Sequence, residues 1–240
     1  LSTWDTIEVP GHWQRQGYGR PHYTNIHYPF PVSPPNVSYQ NPTGSYWRQF
    51  EVPEKWDGND IRVRFEGVDT AFHVYVNGEE VGYSQGARNP SEFDITKYLT
   101  RGENNTLAAR VYQWSDGSYI EDQDQWWLSG IFRDVYLMPF HPAAIHDYQI
   151  VPHVADDFKS GFFSFNITTG TSNGTVSAKL LAPNGDELET YEGPSSGNIT
   201  MQVSGDDFHL WSGVTYALYR RAKGWRAFHQ PESRLPSCRA

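Results

Sequence analysis

Four carboxylates fall within nine residues of the segment Trp114-Ser115-Asp116-Gly117-Ser118-Tyr119-Ile120-Glu121-Asp122-Gln123-Asp124-Gln125-Trp126-Trp127. Charges so close repel one another, so the loop is best held where cations, arginines or backbone N–H groups offset them. Asp and Gln oxygens are hard donors, suited to Na⁺, Mg²⁺ or Ca²⁺ rather than Zn²⁺. Indole faces beside carboxylates also match the apolar face and hydroxyls of a pyranose. The plain alternative is a solvated acidic loop. As acid and nucleophile of a retaining glycosidase, Glu121 and Asp124 would have to stand about 5 to 5.5 Å apart. That chemistry also needs a desolvated acid, and a loop this acidic reads as wet, so direct catalysis by the pair is not expected.

A second segment, Pro21-His22-Tyr23-Thr24-Asn25-Ile26-His27-Tyr28-Pro29, offers an amide. Asn25 carries both donor and acceptor and suits vicinal hydroxyls; the alternative is a turn asparagine closing its own backbone. His22 and His27 are five apart in loop-like sequence, a spacing that does not make a metal pair.

The elements that must position these segments read as strands. Tyr46 to Val52, Ile61 to Phe65, Ala71 to Val76, Leu107 to Trp114 and Ile131 to Met138 alternate apolar with polar residues or form short apolar runs. Asn77-Gly78 is the strongest hairpin signal, because a type I′ turn needs positive φ at both central positions. Residues 1–45, dense in Pro, Gly and aromatics, predict a long structured loop rather than helix or sheet. After Pro139 the runs Ile145 to Val154, Gly161 to Thr168, Thr175 to Leu181 and Ile199 to Val203, with a turn at Pro183-Asn184-Gly185-Asp186, predict a small second β-sandwich.

Totals narrow the function classes. At 240 residues, two β-domains or one and a piece are expected, and 15% aromatic content with 21 Gly and 16 Pro suits them. A net charge of -9 argues against nucleic acid as a partner. The balance is uneven: residues 220–240 hold six basic side chains against Glu232, leaving -14 for the remainder. Cys238 is the only cysteine, which fits a reducing compartment, and a cytoplasmic location is expected. Sequons at Asn36, Asn104, Asn166, Asn173 and Asn198 matter only in a secreted protein. No apolar run approaches the roughly 18 residues of a membrane helix. The first residue is Leu, not Met, which leaves room for an upstream segment.

Seven blocks, in order, resemble the N-terminal part of lac-type β-galactosidases of glycoside hydrolase family 2. They are Val9-Pro10-Gly11-His12-Trp13-Gln14, Gly17-Tyr18-Gly19, Tyr23-Thr24-Asn25 with Tyr28-Pro29, Asn41-Pro42-Thr43-Gly44, Pro90-Ser91-Glu92-Phe93-Asp94, Trp114 to Asp124, and Ser129-Gly130-Ile131-Phe132-Arg133-Asp134-Val135. The resemblance runs from residue 4 to about 218. It implies an all-β chain: a jelly-roll, galactose-binding-like sandwich over 1–139 without its first strand, then an incomplete immunoglobulin-like sandwich over 140–218. In that family a TIM barrel of about 250 residues supplies the catalytic glutamates, so acid and nucleophile are expected outside this chain, and the fragment alone is expected to be inactive.

The resemblance also implies roles. Asn25 is similar to the asparagine that reaches the galactose, and Asp124 to the aspartate that binds Na⁺ and a sugar hydroxyl. Gln85 and Asp116 are similar to two ligands of an outlying Mg²⁺ site, expected to be incomplete here. The implied partner is a galactoside, and the parent is expected to be a homo-oligomer. The Tyr-Thr-Asn and Glu-Asp-Gln-Asp stretches favour a galactosidase over the family's β-glucuronidases and β-mannosidases. A binding module without chemistry is the alternative from another class. Near Leu210-Trp211-Ser212 the resemblance ends and the chain turns basic; a tail over 219–240 without regular structure, produced by a frame change or a gene-model error, is expected.

Overall fold

The computed structural model describes residues 4–121, 124–170, 174–182, 184–194, 199–205, 208, 210, 233–234 and 238–239. The chain runs through β1 (Thr6–Ile7), β2 (His22–Tyr23), β3 (Thr43–Phe50), β4 (Asp60–Phe65), β5 (Val68–Asp69) and β6 (Ala71–Val76). There follow β7 (Glu79–Gln85), β8 (Ser91–Asp94), β9 (Asn105–Tyr112), β10 (Trp126–Trp127), β11 (Gly130–Ile131) and β12 (Val135–Phe140). Beyond these come β13 (Ile145–Val154), β14 (Ser160–Thr169), β15 (Thr175–Leu181), β16 (Glu187–Pro194) and β17 (Ile199–Ser204), with β18 (Ser233–Arg234) and β19 (Cys238–Arg239) near the end. The only helices among the described residues are short 3-10 turns, so the all-β class expected from the sequence is what the structure shows.

The chain divides into two compact units, 1–139 with 232–240, and 140–231. In the first, a six-stranded sheet of order β1-β19-β3-β9-β6-β7 and a four-stranded sheet of order β18-β12-β4-β8 contribute to one core. Period-two patterning explains why. Tyr46 and Phe50 on β3, Ile61, Val63 and Phe65 on β4, Phe72, Val74 and Val76 on β6, Leu107, Ala109 and Val111 on β9 and Leu137 on β12 all point into it. Trp56, fully buried on a 3-10 turn, joins the same cluster.

The turn predicted at Asn77-Gly78 forms with φ of 51° and 87°, both positive. Asn77 also works sideways: its amide donates to Asn105 Oδ1 at 2.8 Å and accepts from Thr106 N–H at 2.8 Å, tying the hairpin to β9.

The run expected as one strand over Ile131 to Met138 is instead broken. β11 pairs with β5, and the amides of Phe132 and Arg133 turn to the Gly67 carbonyl before β12 begins at Val135. Gly67 allows that approach, since a Cβ there would meet the Phe132 ring at 2.9 Å. Residues 4–45 are largely loop, as expected, but contain β1, β2, a 3-10 turn at Trp13–Gln16 and the start of β3.

In the second unit β13-β14-β17 form one sheet and β15-β16 another, around Leu180, Met201 and Val203 with Phe163, Phe165 and Leu188 packed against them. Of the turn predicted at 183–186, Pro183 lies outside the described residues; around it Ala182 N–H donates to the Asp186 carbonyl at 2.8 Å, with Gly185 at φ 98°. Of the basic tail, β18 pairs with β12, and β19 pairs with β1 and β3. The rest of the expected irregular tail lies outside the described residues, as do Asn173 and Asn198. Among the described residues no helix is long and apolar enough to cross a membrane.

Candidate sugar-binding site

The two segments singled out by their chemistry meet. β2 and β10 pair antiparallel, with Tyr23 opposite Trp126 and His22 opposite Trp127. Their junction is polar as well as aromatic: the Tyr23 hydroxyl donates to Asp124 Oδ1 at 2.5 Å, and the Tyr23 and Trp126 rings lie 5.7 Å apart. Asp124 adopts a left-handed backbone, φ 56°, which turns the chain from the acidic loop into β10.

Beside this junction, the turn carrying Asn25 is closed by its neighbour. His27 N–H donates to Thr24 Oγ1 at 3.2 Å, leaving Asn25 exposed. The turn-closing role weighed for Asn25 therefore belongs to Thr24. His22 faces Trp127 across the β2–β10 ladder, His27 is exposed, and among the described residues no cluster of three or more His, Cys, Asp or Glu side chains could hold a metal ion.

The acidic loop is fastened at its base by buried polar groups. Trp114 is bridged to Asn41 in both directions: Asn41 Nδ2 donates to the Trp114 carbonyl at 2.7 Å and Trp114 N–H donates to Asn41 Oδ1 at 2.9 Å. A 3-10 turn over Asp116–Tyr119 follows, with Ser115 N–H donating to Ser118 Oγ at 3.1 Å. Tyr119 then clamps the long loop before β3. Its carbonyl accepts from the Tyr28 hydroxyl at 2.6 Å, and its own hydroxyl accepts from Ser33 N–H at 3.0 Å and donates to the Asn36 carbonyl at 2.6 Å. Phe30 packs its ring within 5.7 Å of Tyr28, Trp114 and Tyr119, adding apolar contact to the clamp.

Glu121 points inward. Its carboxylate accepts from Ala87 N–H at 3.2 Å and from Thr70 Oγ1 at 3.3 Å, and Thr70 also meets Ser115 Oγ at 3.3 Å. Next to Thr70, Asp69 pairs with Arg88 at 2.9 Å. Burial pushes the Asp69 carboxyl up to about 6, Arg88 opposing and Glu121 adding to the rise. Glu121 and Asp124 are thus engaged with different partners.

Gln85 and Asp116 both neighbour Tyr83. The Tyr83 hydroxyl donates to Gln85 Oε1 at 2.8 Å, while burial and then the Asp116 charge raise the Tyr83 pKa. Asp116 Oδ1 accepts from Gly117 N–H at 3.0 Å. With Gln85 Oε1 already engaged, these two side chains do not make a closed site for a divalent ion, which takes about six oxygens. Asp124 is different: it is an exposed carboxylate beside the Tyr23 hydroxyl, and its hard oxygens suit a cation such as Na⁺ only as one ligand of several.

Sequence reasoning missed Tyr23, Thr70, Asp69 and Arg88 as parts of this arrangement. Tyr23 was visible beside Asn25, but nothing in its spacing pointed across to Asp124.

A β-sandwich with two apposed loops rich in tryptophan, tyrosine and carboxylate defines a ligand-binding domain. Residues 1–141 match the family model for the sugar binding domain of glycosyl hydrolases family 2. The chain belongs to that family. Among curated proteins it is 50% identical to a β-galactosidase of Photobacterium profundum over 163 residues, 68% of this chain and 16% of that protein. It is 40% identical to a β-galactosidase of Psychromonas ingrahamii over 235 residues, 91% of this chain and 22% of that protein. The chain therefore spans about a fifth of the length of these relatives. Among solved structures it resembles the apo β-glucuronidase of Ruminococcus gnavus with a TM-score of 0.60 at 20% identity, over 74% of this chain and 32% of that one. The same enzyme in complex with uronic deoxynojirimycin gives the same TM-score. At that identity the likeness concerns the fold alone.

Proposed function

We propose that this chain is the sugar-binding N-terminal part of a β-galactosidase that hydrolyses terminal β-galactosides with retention, and that Asn25 and Asp124 face the galactosyl group. The observation that carries the reading is the Tyr23–Asp124 contact across the β2–β10 ladder. It brings the Thr24-Asn25 turn and the acidic loop to one place. The identity to two β-galactosidases supports galactose as the sugar. Asn25 contributes an exposed amide to vicinal hydroxyls; Asp124 accepts from a hydroxyl and offers an oxygen to Na⁺, which supplies positive charge to the sugar hydroxyls when bound. Gln85 and Asp116 are at most part of a Mg²⁺ site. The cutting carboxylates come from elsewhere in the parent, for which the single cysteine supports a reducing, cytoplasmic setting.

Two measurements test this. The purified chain shows no turnover of a chromogenic β-galactoside; activity that survives removal of contaminating enzyme overturns the claim of inactivity. In saturation-transfer NMR with methyl β-galactoside, the chain binds weakly, on the order of millimolar, and Asp124→Asn or Asn25→Ala weakens binding several-fold. Equal signals from wild type and both variants overturn the assignment of Asn25 and Asp124. A binding module without chemistry is the second reading, favoured by a first unit with its own core; a gene that continues past residue 240 into a barrel rules it out.

A further inference from the structure

Asp124 receives its hydrogen bond from the other ligand-facing segment. Tyr23 and Asp124 are 101 residues apart in sequence, yet the phenol-to-carboxylate distance is 2.5 Å. A hydroxyl donating to an ionised carboxylate makes a strong, directional contact. The Tyr23 side chain is not there for core burial, since the residue is 47% exposed. A phenylalanine would pack on Trp126 as well; only the hydroxyl reaches Asp124.

Resting on the reading of Asp124 as the ligand-binding carboxylate, we propose that Tyr23 is its positioning residue, occupying Oδ1 so that Oδ2 is the oxygen presented to cation and sugar. Among the described residues no hydrogen bond reaches Asp124 Oδ2. With Oδ1 turned to the phenol, Oδ2 is the oxygen without a protein donor, which favours one-oxygen ligation. A freely rotating aspartate would instead alternate between one- and two-oxygen binding and between orientations, losing rotamer entropy each time it bound. The left-handed Asp124 backbone and the Tyr23↔Trp126 register fix the two ends of the contact, so it exists before any ligand arrives.

The test uses ²³Na line broadening by the full chain at constant ionic strength, NaCl replacing choline chloride. Wild type is expected to broaden the line more than Asp124→Asn. Tyr23→Phe should remove at least two thirds of that excess while its melting temperature and indole NMR spectrum stay those of wild type. Tyr23→His, which keeps a ring N–H donor, serves as the second variant and should fall between the two. If Tyr23→Phe and Tyr23→His both broaden like wild type while Asp124→Asn does not, the positioning role is overturned and the Asp124 reading survives. If wild type broadens no more than Asp124→Asn, the cation reading of Asp124 falls, and the role of Tyr23 with it.

Discussion

Asn41 and Trp114 hold each other by two opposed hydrogen bonds, the Asn41 side-chain amide reading the Trp114 backbone as a neighbouring strand would. The contact spans 73 residues of sequence and sits where β9 has ended and the acidic loop begins. Asn41→Ala leaves a half-buried N–H and C=O without partners, at a cost of about 1 to 3 kcal/mol. Asn41→Asp should cost as much or more, because it sets a carboxylate oxygen against the Trp114 carbonyl. Urea unfolding followed by tryptophan fluorescence measures this, as seven of the nine tryptophans lie before residue 140. An Asn41→Asp protein as stable as wild type would show that the carbonyl contact contributes nothing.

Glu121 holds the base of the loop through acceptor capacity rather than charge. Ala87 and Thr70, its donors, are both buried. Glu121→Gln keeps acceptor oxygen and removes a negative charge near Asp69, so a loss under about 1 kcal/mol is expected. Glu121→Ala orphans two buried donors and should cost roughly 2 to 4 kcal/mol, with faster hydrogen exchange confined to residues 115–121. The same unfolding assay separates the pair; equal losses would mean that the charge, not the acceptor, matters.

Asp69 predicts a pH dependence whose sign can be worked out. Its carboxyl is raised from 3.8 to about 6 in the folded chain, so the folded state binds the proton more tightly than the unfolded one. The associated stability is present below pH 3.8 and is lost as pH rises through about 6. A shift of this size corresponds to at most about 3 kcal/mol, for a side chain 15% exposed. His12 works in the opposite sense: burial lowers it from 6.5, so its contribution is lost as pH falls. The difference between Asp69→Asn and wild type isolates Asp69. It should grow in favour of Asp69→Asn from pH 4 to 7, and parallel stability curves over that range would refute it.

What the sequence disclosed, and what it hid, follows from how far each interaction reaches. The Asn77-Gly78 turn was legible because two adjacent positive φ values are a local demand that few residue pairs meet. The core strands were legible from alternation. β16 was not: Glu-Leu-Glu-Thr-Tyr-Glu-Gly-Pro spaces its apolar residues three apart and, among the described residues, pairs with β15 alone, through a bulge at Leu180/Leu181. β2 and β10, two residues each, are too short to carry a period, so both loops could be read singly while their meeting could not. The raised Asp69 carboxyl left no local mark, because it comes from burial in the folded chain, with the charges of Arg88 and Glu121 acting from other stretches of sequence.

The Tyr119 clamp and the Tyr23–Asp124 bond together mean that neither of the two paired segments owns its shape. Residues 114–127 grafted onto another sandwich would bring their acids and indoles but not their geometry, and residues 21–42 alone would fare no better. The unit of inheritance for this site is the pair. A substitution in one loop is therefore best compensated in the other, at a distance of some hundred residues of sequence.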